Sequence, residues 1–229
     1  MTSAAAPIVT IDGPSGSGKG TISRAVARHV GWHLLDSGAL YRLVAVAGMA
    51  HGLAPEDVTG HARLAGQMDV DFRVAPGGGE LICLEGRDAT AQVRSEAGGQ
   101  GASRVAAWPE VRAALLERQH AFARPPGLVA DGRDMGTVVF PQARLKIFLT
   151  ASADERALRR HKQLKDKGSD VSLAGLSREI AERDLRDSTR AASPLKPAPD
   201  AQVIDSTGLS IDEVVNLVLA SGRARALWP

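Results

Sequence analysis

The chain has 229 residues, 44% of them hydrophobic, 24% charged and 3% aromatic, with a formal net charge of +2. That length holds one domain, or one domain with a sub-domain grafted on, and the apolar share suffices for a packed core rather than wholesale disorder. The near-neutral balance and scarce aromatic rings exclude nucleic-acid binding by bulk charge or base stacking, and a single cysteine, Cys83, excludes a disulfide framework or a cysteine metal cluster and fits a reducing cytoplasm.

The first residues, Met1 to Ala6, are small and uncharged, so no signal peptide is expected, and no apolar run approaches the roughly 18 residues of a membrane span. Pro7-Ile8-Val9-Thr10-Ile11 predicts a buried parallel strand. It runs into a glycine-rich stretch, and a helix follows with Ile22, Ala25, Val26 and Val30 on one stripe and Gly31 as its stop. His33-Leu34-Leu35 predicts a second strand, and a helix from about Ala39 to Met49 carries Tyr41 and Arg42 in its first turn. Between about Gly66 and Ala102 the texture changes. Asp69–Val74 and Glu80–Glu85 alternate around Gly77-Gly78-Gly79, an antiparallel hairpin signal that marks an inserted lobe. Glu96 to Gly101, with three glycines, reads as a hinge or loop.

Helical spacing returns from Pro109 to Arg124. Leu128-Val129-Ala130 and Leu145–Leu149 predict two further strands. Ser152 with Glu155 predicts a capping box for a helix through Arg156 and Arg160, which Gly168 interrupts. A second helix follows over about Ser172 to Ser188, then a fifth strand at Gln202–Asp205, then a last helix capped by Ser210 with Glu213. Pro194 to Pro199 reads as a surface connection, and Arg223 to Pro229 carries no legible motif. Strands alternating with helices predict an α/β fold: a five-stranded parallel sheet flanked by helices, interrupted by a small antiparallel lobe.

The chemistry starts at Gly13-x-x-x-x-Gly18-Lys19, between the first strand and the first helix. Glycines let a backbone turn aim its N–H groups at a phosphate, the helix N-terminus adds a positive dipole end, and the lysine reaches the outer phosphates. This nominates Gly13, Pro14, Ser15, Gly16, Ser17, Gly18, Lys19, Gly20 and Thr21 for ATP. Gly20 stands where such loops place a magnesium-binding hydroxyl, and Thr21 comes one position later.

Several blocks taken together resemble bacterial cytidylate kinases: Ile11–Gly16, Leu35–Arg42, Ala130–Pro141, Glu182–Arg190 and Asp205-Ser206-Thr207. They span nearly the whole chain in order. The resemblance implies a P-loop kinase fold in one domain over residues 1–229, with a monophosphate-side lobe at 66–102 and a helical lid at 154–170. It implies transfer of the γ-phosphate of ATP to CMP, and to dCMP, with magnesium as the cofactor, by a cytoplasmic monomer with no nucleic-acid or membrane partner. Another nucleoside monophosphate, or a non-catalytic ATP-binding regulatory module, is the alternative reading.

Phosphoryl transfer to a phosphate needs positioning and charge neutralisation rather than a strong base. Arg42 and Arg133 lie near strand ends, where α/β sheets place ligands, and the resemblance assigns both to the acceptor phosphate. With Lys19 and Arg190 they form the expected catalytic set. Arg183, Asp187 and Arg190 share one helical stripe at i, i+4 and i+7, which alone would read as a solvated ladder; the resemblance places them on CMP. It also assigns Ser37 to CMP, and Ser103, Arg112 and Asp134 to cytosine, whose amino donor and ring acceptors suit a carboxylate and a donor pair. Asp36 and Asp131 end two strands and are candidates to orient magnesium, directly or through water, or to cap helices. Arg156, Arg159, Arg160, Lys162, Lys165 and Lys167 oppose only Asp166, and Arg156 and Arg160 are the expected lid arginines closing over ATP. His29, His33, His51, His61, His120 and His161 show no metal-ligand spacing and read as structural or surface residues.

Overall fold

The computed structural model describes residues 6–77, 79–166, 168 and 170–229. The first five residues, Gly78 of the hairpin tract and Lys167 of the basic segment lie outside them. The chain divides into a larger unit, formed by the residues up to Asp36 with His120–Pro229, and a smaller one, Ser37–Gln119. The segment 66–102 expected as the insert is one part of that smaller unit.

In chain order, β1 (Ile8–Asp12), α1 (Lys19–Val30) and β2 (His33–Asp36) open the larger unit. The smaller unit holds α2 (Ser37–Ala50), α3 (Val58–Gln67), β3 (Val70–Val74), β4 (Glu80–Leu84), β5 (Arg87–Asp88), α4 (Thr90–Arg94) and α5 (Glu96–Val105), and it takes in most of α6 (Pro109–His120). The larger unit resumes with β6 (Leu128–Gly132), a π-turn at Met135–Val139, β7 (Leu145–Thr150), α7 (Ala153–Lys165), α8 (Leu173–Thr189), β8 (Gln202–Asp205) and α9 (Ile211–Arg223).

In the larger unit, five described strands pair in the order β2-β6-β1-β7-β8, every pair parallel. β1 and β6 are buried along their whole length, which is why they read as continuous apolar runs rather than alternating ones. α1 and α9 cover the sheet through Ile22, Val26, Val214 and Val218 against Val9 and Ile147. Gly31 ends α1 in the left-handed region, its N–H bonding Ala27 O, and Arg28 and His29 face the negative end of the helix dipole. The tail, silent in sequence, closes this core. The Trp228 ring meets Trp32 edge-on at 5.3 Å, and its Nε1 donates to Leu219 O at 3.1 Å.

α9 begins with the expected reciprocal capping box of Ser210 and Glu213. α7 does not, although Ser152 Oγ accepts the Glu155 N–H. The Ser152 N–H goes to Thr207 Oγ1 at 2.9 Å and the Glu155 carboxylate to Arg159 one turn along α7 at 2.8 Å, so a tertiary partner and an intrahelical pair replace the second half of the box.

In the smaller unit, β3 and β4 form the expected hairpin, in register from Val70↔Leu84 to Val74↔Glu80, and β5 adds a short third strand. Glu96–Gly101 corrects the loop expectation, because it is the first half of α5, capped by Ser95 Oγ accepting the Gly98 N–H at 3.0 Å. Its glycines serve close packing. A Cβ on Gly98 would lie 2.5 Å from Gln92 O, and one on Gly101 would lie 2.7 Å from Ala45 Cβ of α2. Tertiary contact outweighs the helix cost of glycine, about 1 kcal/mol each.

Candidate active site

The phosphate loop forms because its glycines take shapes other residues cannot. Gly13 has φ 153° and lies so close to β7 that a Cβ would sit 2.0 Å from Leu149 O. Gly18 is left-handed, with φ 89°, at the N-cap of α1, where it offers no side chain to the helix. With no acidic residue in the first turn either, the amides and dipole of α1 are presented to an anion. Ser17 Oγ is buried and meets no hydrogen-bond partner among the described residues. Lys19 Nζ donates to Pro14 O at 3.0 Å, across its own loop. Thr21 is exposed.

Behind the loop lies a group of buried charges. Burial, then the Arg133 and Arg183 cations, push the Lys19 ammonium well below its ordinary range, against the pull of Asp131 and Asp187. Burial raises the Asp131 carboxyl; Lys19 opposes that rise and Asp36 adds to it. Asp187 is also pushed up by burial, but Arg133 and Arg183 outweigh this and hold it below the usual carboxylate range. Arg133 Nε donates to Asp187 Oδ2 at 3.0 Å and its NH1 to Gly132 O at 3.3 Å. Polyphosphate arriving beside these cations would restore the lysine's charge, since an anion favours the protonated form.

Gly20 has a visible reason. A Cβ there would lie 3.2 Å from Asp131 Oδ2, so a serine or threonine would press on the carboxylate and need it to give by a few tenths of an ångström. Asp36 stands beside Asp131 in the β2–β6 register.

In the smaller unit, Arg42 on α2 donates from NH1 to Val93 O and Ser95 O, both at 2.9 Å, and so joins the end of α4 to the start of α5. Ser37 is buried at the start of α2. The Arg112 guanidinium lies 5.8 Å from the centre of the Tyr41 ring, with NH1 donating to Ala106 O at 3.3 Å. Ser103 Oγ is buried on α5 without a hydrogen-bond partner among the described residues.

A family model described as cytidylate kinase matches residues 9–223. The chain belongs to the cytidylate kinase family. A cytidylate kinase of Shewanella denitrificans is 58% identical over 219 residues, covering 95% of this chain and 96% of that protein. One of Stutzerimonas stutzeri is 58% identical over 222 residues, covering 96% and 97%. One of Shewanella loihica is 56% identical over 215 residues, covering 94% of each.

Two placements differ from the expectation for a cytidylate kinase drawn from sequence. Arg190 does not continue the Arg183–Asp187 stripe. α8 ends at Thr189, and Arg190 is its C-cap with φ −60° and ψ 139°, its Nε donating to Ser193 O at 2.6 Å. Its charge still reaches Asp187, whose carboxyl it helps to hold down. Arg156 is buried rather than carried on a loose face. It pairs with Asp184 through two bonds of 3.0 and 2.6 Å, and also donates to Ala151 O and, at 3.1 Å, to Ser15 O of the phosphate loop. Arg160 is half-buried on α7, where burial lowers its pKa against the pull of Glu179.

Three residues were missed. Arg159 donates to both Ser206 Oγ and Ser206 O, while Ser206 Oγ lies 3.3 Å from Ser17 O. Asp184, the partner of Arg156, and Asp12, which ends β1, are the others. Strand-end position was the available signal for Asp12; nothing in the sequence pattern singled out Asp184 or Arg159 from neighbouring charges. Among the described residues no three His, Cys, Asp or Glu side chains gather as a metal site, and no helix is long and apolar enough to cross a membrane.

Proposed function

We propose that this cytidylate kinase family member transfers the γ-phosphate of ATP to CMP, giving CDP and ADP, and also accepts dCMP. The observation that carries the reading is the glycine loop and cap-free α1 terminus backed by Lys19, Arg133, Arg183 and Asp187. Two anions must be brought into line, and a buried lysine with half-buried arginines beside aligned amides supplies the charge neutralisation without a base.

In this reading Gly13 to Thr21 hold the donor triphosphate and Lys19 leaves Pro14 O for its outer oxygens. Arg42, Arg133 and Arg190 neutralise the acceptor phosphate with their guanidinium forks. Asp187, steadied by Arg183, accepts hydrogen bonds from the sugar. Ser103, Arg112 and Asp134 read cytosine, and Ser37 binds the same nucleotide. Arg160 closes over ATP.

Asp131 and Asp36 fit magnesium. The ion favours one or two carboxylates together with waters and substrate phosphates rather than a closed protein cage, and Asp131 beside Gly20, with Asp36 next to it across the strands, matches that need. When bound with ATP, the ion neutralises triphosphate charge. A monomeric state and a cytoplasmic setting belong to the same proposal and rest on the resemblance and the single cysteine.

The test is a coupled ADP-release assay with CMP, dCMP, UMP, AMP and GMP as acceptors. CMP is expected to give the highest kcat/KM. A preference for AMP or GMP would defeat the cytosine assignment, and ATP binding without turnover on any acceptor would favour the regulatory module.

A further inference from the structure

Asp12 ends β1 one residue before the phosphate loop, is buried, and takes no part in the scheme above. Its two oxygens serve two amides. The Met135 N–H donates to Oδ1 and the Gly136 N–H to Oδ2, each at 2.8 Å. These amides open the π-turn that directly follows Arg133 and Asp134. Asp134 starts that turn, its carbonyl accepting the Val138 and Val139 N–H groups at 2.9 and 3.2 Å. One carboxylate thus clamps the end of the central strand to the chain segment that presents the acceptor residues.

The same face of the sheet crowds the turn two residues back along β1 and on β7. A Cβ on Gly136 would lie 2.8 Å from Thr10 Oγ1 and 3.2 Å from Lys146 Cδ, and the Lys146 stem is held there by its Nζ bond to Asp200 at 2.9 Å. The turn is therefore both held by the fork and packed closely onto the sheet, with little room to approach it further. Burial pushes the Asp12 carboxyl up to about 7, against the pull of the two amides and with Asp134 and Asp131 adding to the rise. A group so costly to bury at the centre of a sheet needs a compensating role, and the fork supplies one.

We propose that Asp12 is a positioning residue for the acceptor: its fork on the Met135 and Gly136 amides fixes the Arg133–Asp134 arm in the geometry that engages the monophosphate. The inference rests on the kinase reading above. It predicts asymmetry, because the phosphate loop has its own supports in Gly13 packed on Leu149 O, Lys19 on Pro14 O and Arg156 on Ser15 O.

In Asp12→Asn the side-chain NH2 replaces one oxygen and faces an amide donor to donor. KM for CMP is expected to rise about tenfold or more, the scale of losing a charge-assisted bond and leaving a buried amide unsatisfied. KM for ATP should stay within about twofold, and hydrogen exchange of the Met135 and Gly136 amides should accelerate while that of Val9 and Ile147 does not. A purely structural role would lower Tm and shift both substrates together. Equal losses for ATP and CMP in the folded variant, or an unchanged KM for CMP, would overturn the proposal.

Should the variant fail to fold, the wild-type chain carries the test. Saturating CMP should slow exchange of the Met135 and Gly136 amides further than a non-hydrolysable ATP analogue does; equal effects, or none, would overturn it. If wild-type protein instead prefers another monophosphate, the cytidine assignment fails alone, and the same split measured with that acceptor decides the role of Asp12.

Discussion

Arg156→Met separates an anchor from a lid. The guanidinium is 6% exposed and makes four hydrogen bonds, two of them to Asp184, which is 30% exposed. Methionine keeps much of the apolar stem but leaves a carboxylate and the Ser15 and Ala151 carbonyls without their donor. Removing one partner of a buried pair costs about 3–5 kcal/mol, and water reaching Asp184 places this case near the lower end, about 3 kcal/mol. For a chain of this size that corresponds to a fall of about 6–12 °C in Tm. Calorimetry should show that fall, and steady-state kinetics should show a raised KM for ATP, since the Ser15 carbonyl belongs to the phosphate loop. Asp184→Asn should produce part of the same loss, and the double variant should fall short of the sum because the two residues form one unit. Arg160→Ala is the contrast, with Tm within about 2 °C and a loss of turnover. An Arg156→Met protein that melts like wild type while losing turnover would refute the anchor and return the residue to the lid.

Arg133→Ala should lower kcat/KM for CMP by about 10²–10⁴ while a non-hydrolysable ATP analogue still binds; a loss under about tenfold would remove Arg133 from the transition state. Gly99→Ala places a Cβ 3.1 to 3.4 Å from three atoms of the Arg42 guanidinium, so Arg42 must yield. KM for CMP should rise several-fold with KM for ATP unchanged, and an unaltered KM for CMP would count against Arg42 as an acceptor residue. Asp187 has its carboxyl held below the ordinary value by Arg133 and Arg183 despite burial. Its stabilising contribution is therefore present above about pH 4 and is lost as pH falls through the lowered value. The Tm difference between wild type and Asp187→Asn should be widest between about pH 5 and 7 and close toward pH 2; a constant difference would contradict the ion pair.

The parallel sheet was legible because its inner strands β6, β1 and β7 are largely buried on both faces and read as short apolar runs. The phosphate loop was legible because its chemistry is local: spacing, glycine geometry and one lysine. The failures share a physical cause. Glu96–Gly101 looks like a hinge to any rule of local propensity, and it is a helix only because Ala45 and Arg42 of α2 lie where side chains on α5 would be. Arg156 looks solvated until Asp184 arrives from another helix. The arm of Asp12 reaches amides more than a hundred positions away. Tertiary partners decide each of these, and no window of sequence contains them. Composition misled in one further way: a net charge of +2 conceals a cluster in which burial, with Arg133 and Arg183, depresses the Lys19 ammonium.

That cluster differs in kind from the unit's other buried cations. Arg156 and Lys146 each have a carboxylate partner, Asp184 and Asp200, and with it a closed local balance. Lys19 instead lies where two arginines push against its charge and two aspartates only partly compensate. Together with burial, the largest cause, such an arrangement disfavours the charged lysine in the isolated chain, and an anion placed beside it would favour that charge. Gly20 lies beside the same cluster. With the Asp131 carboxylate beside it, any side chain at that position would need the carboxylate to give by a few tenths of an ångström, so the loop and β6 are closely packed there. The acid beside the loop is thus supplied by the sheet.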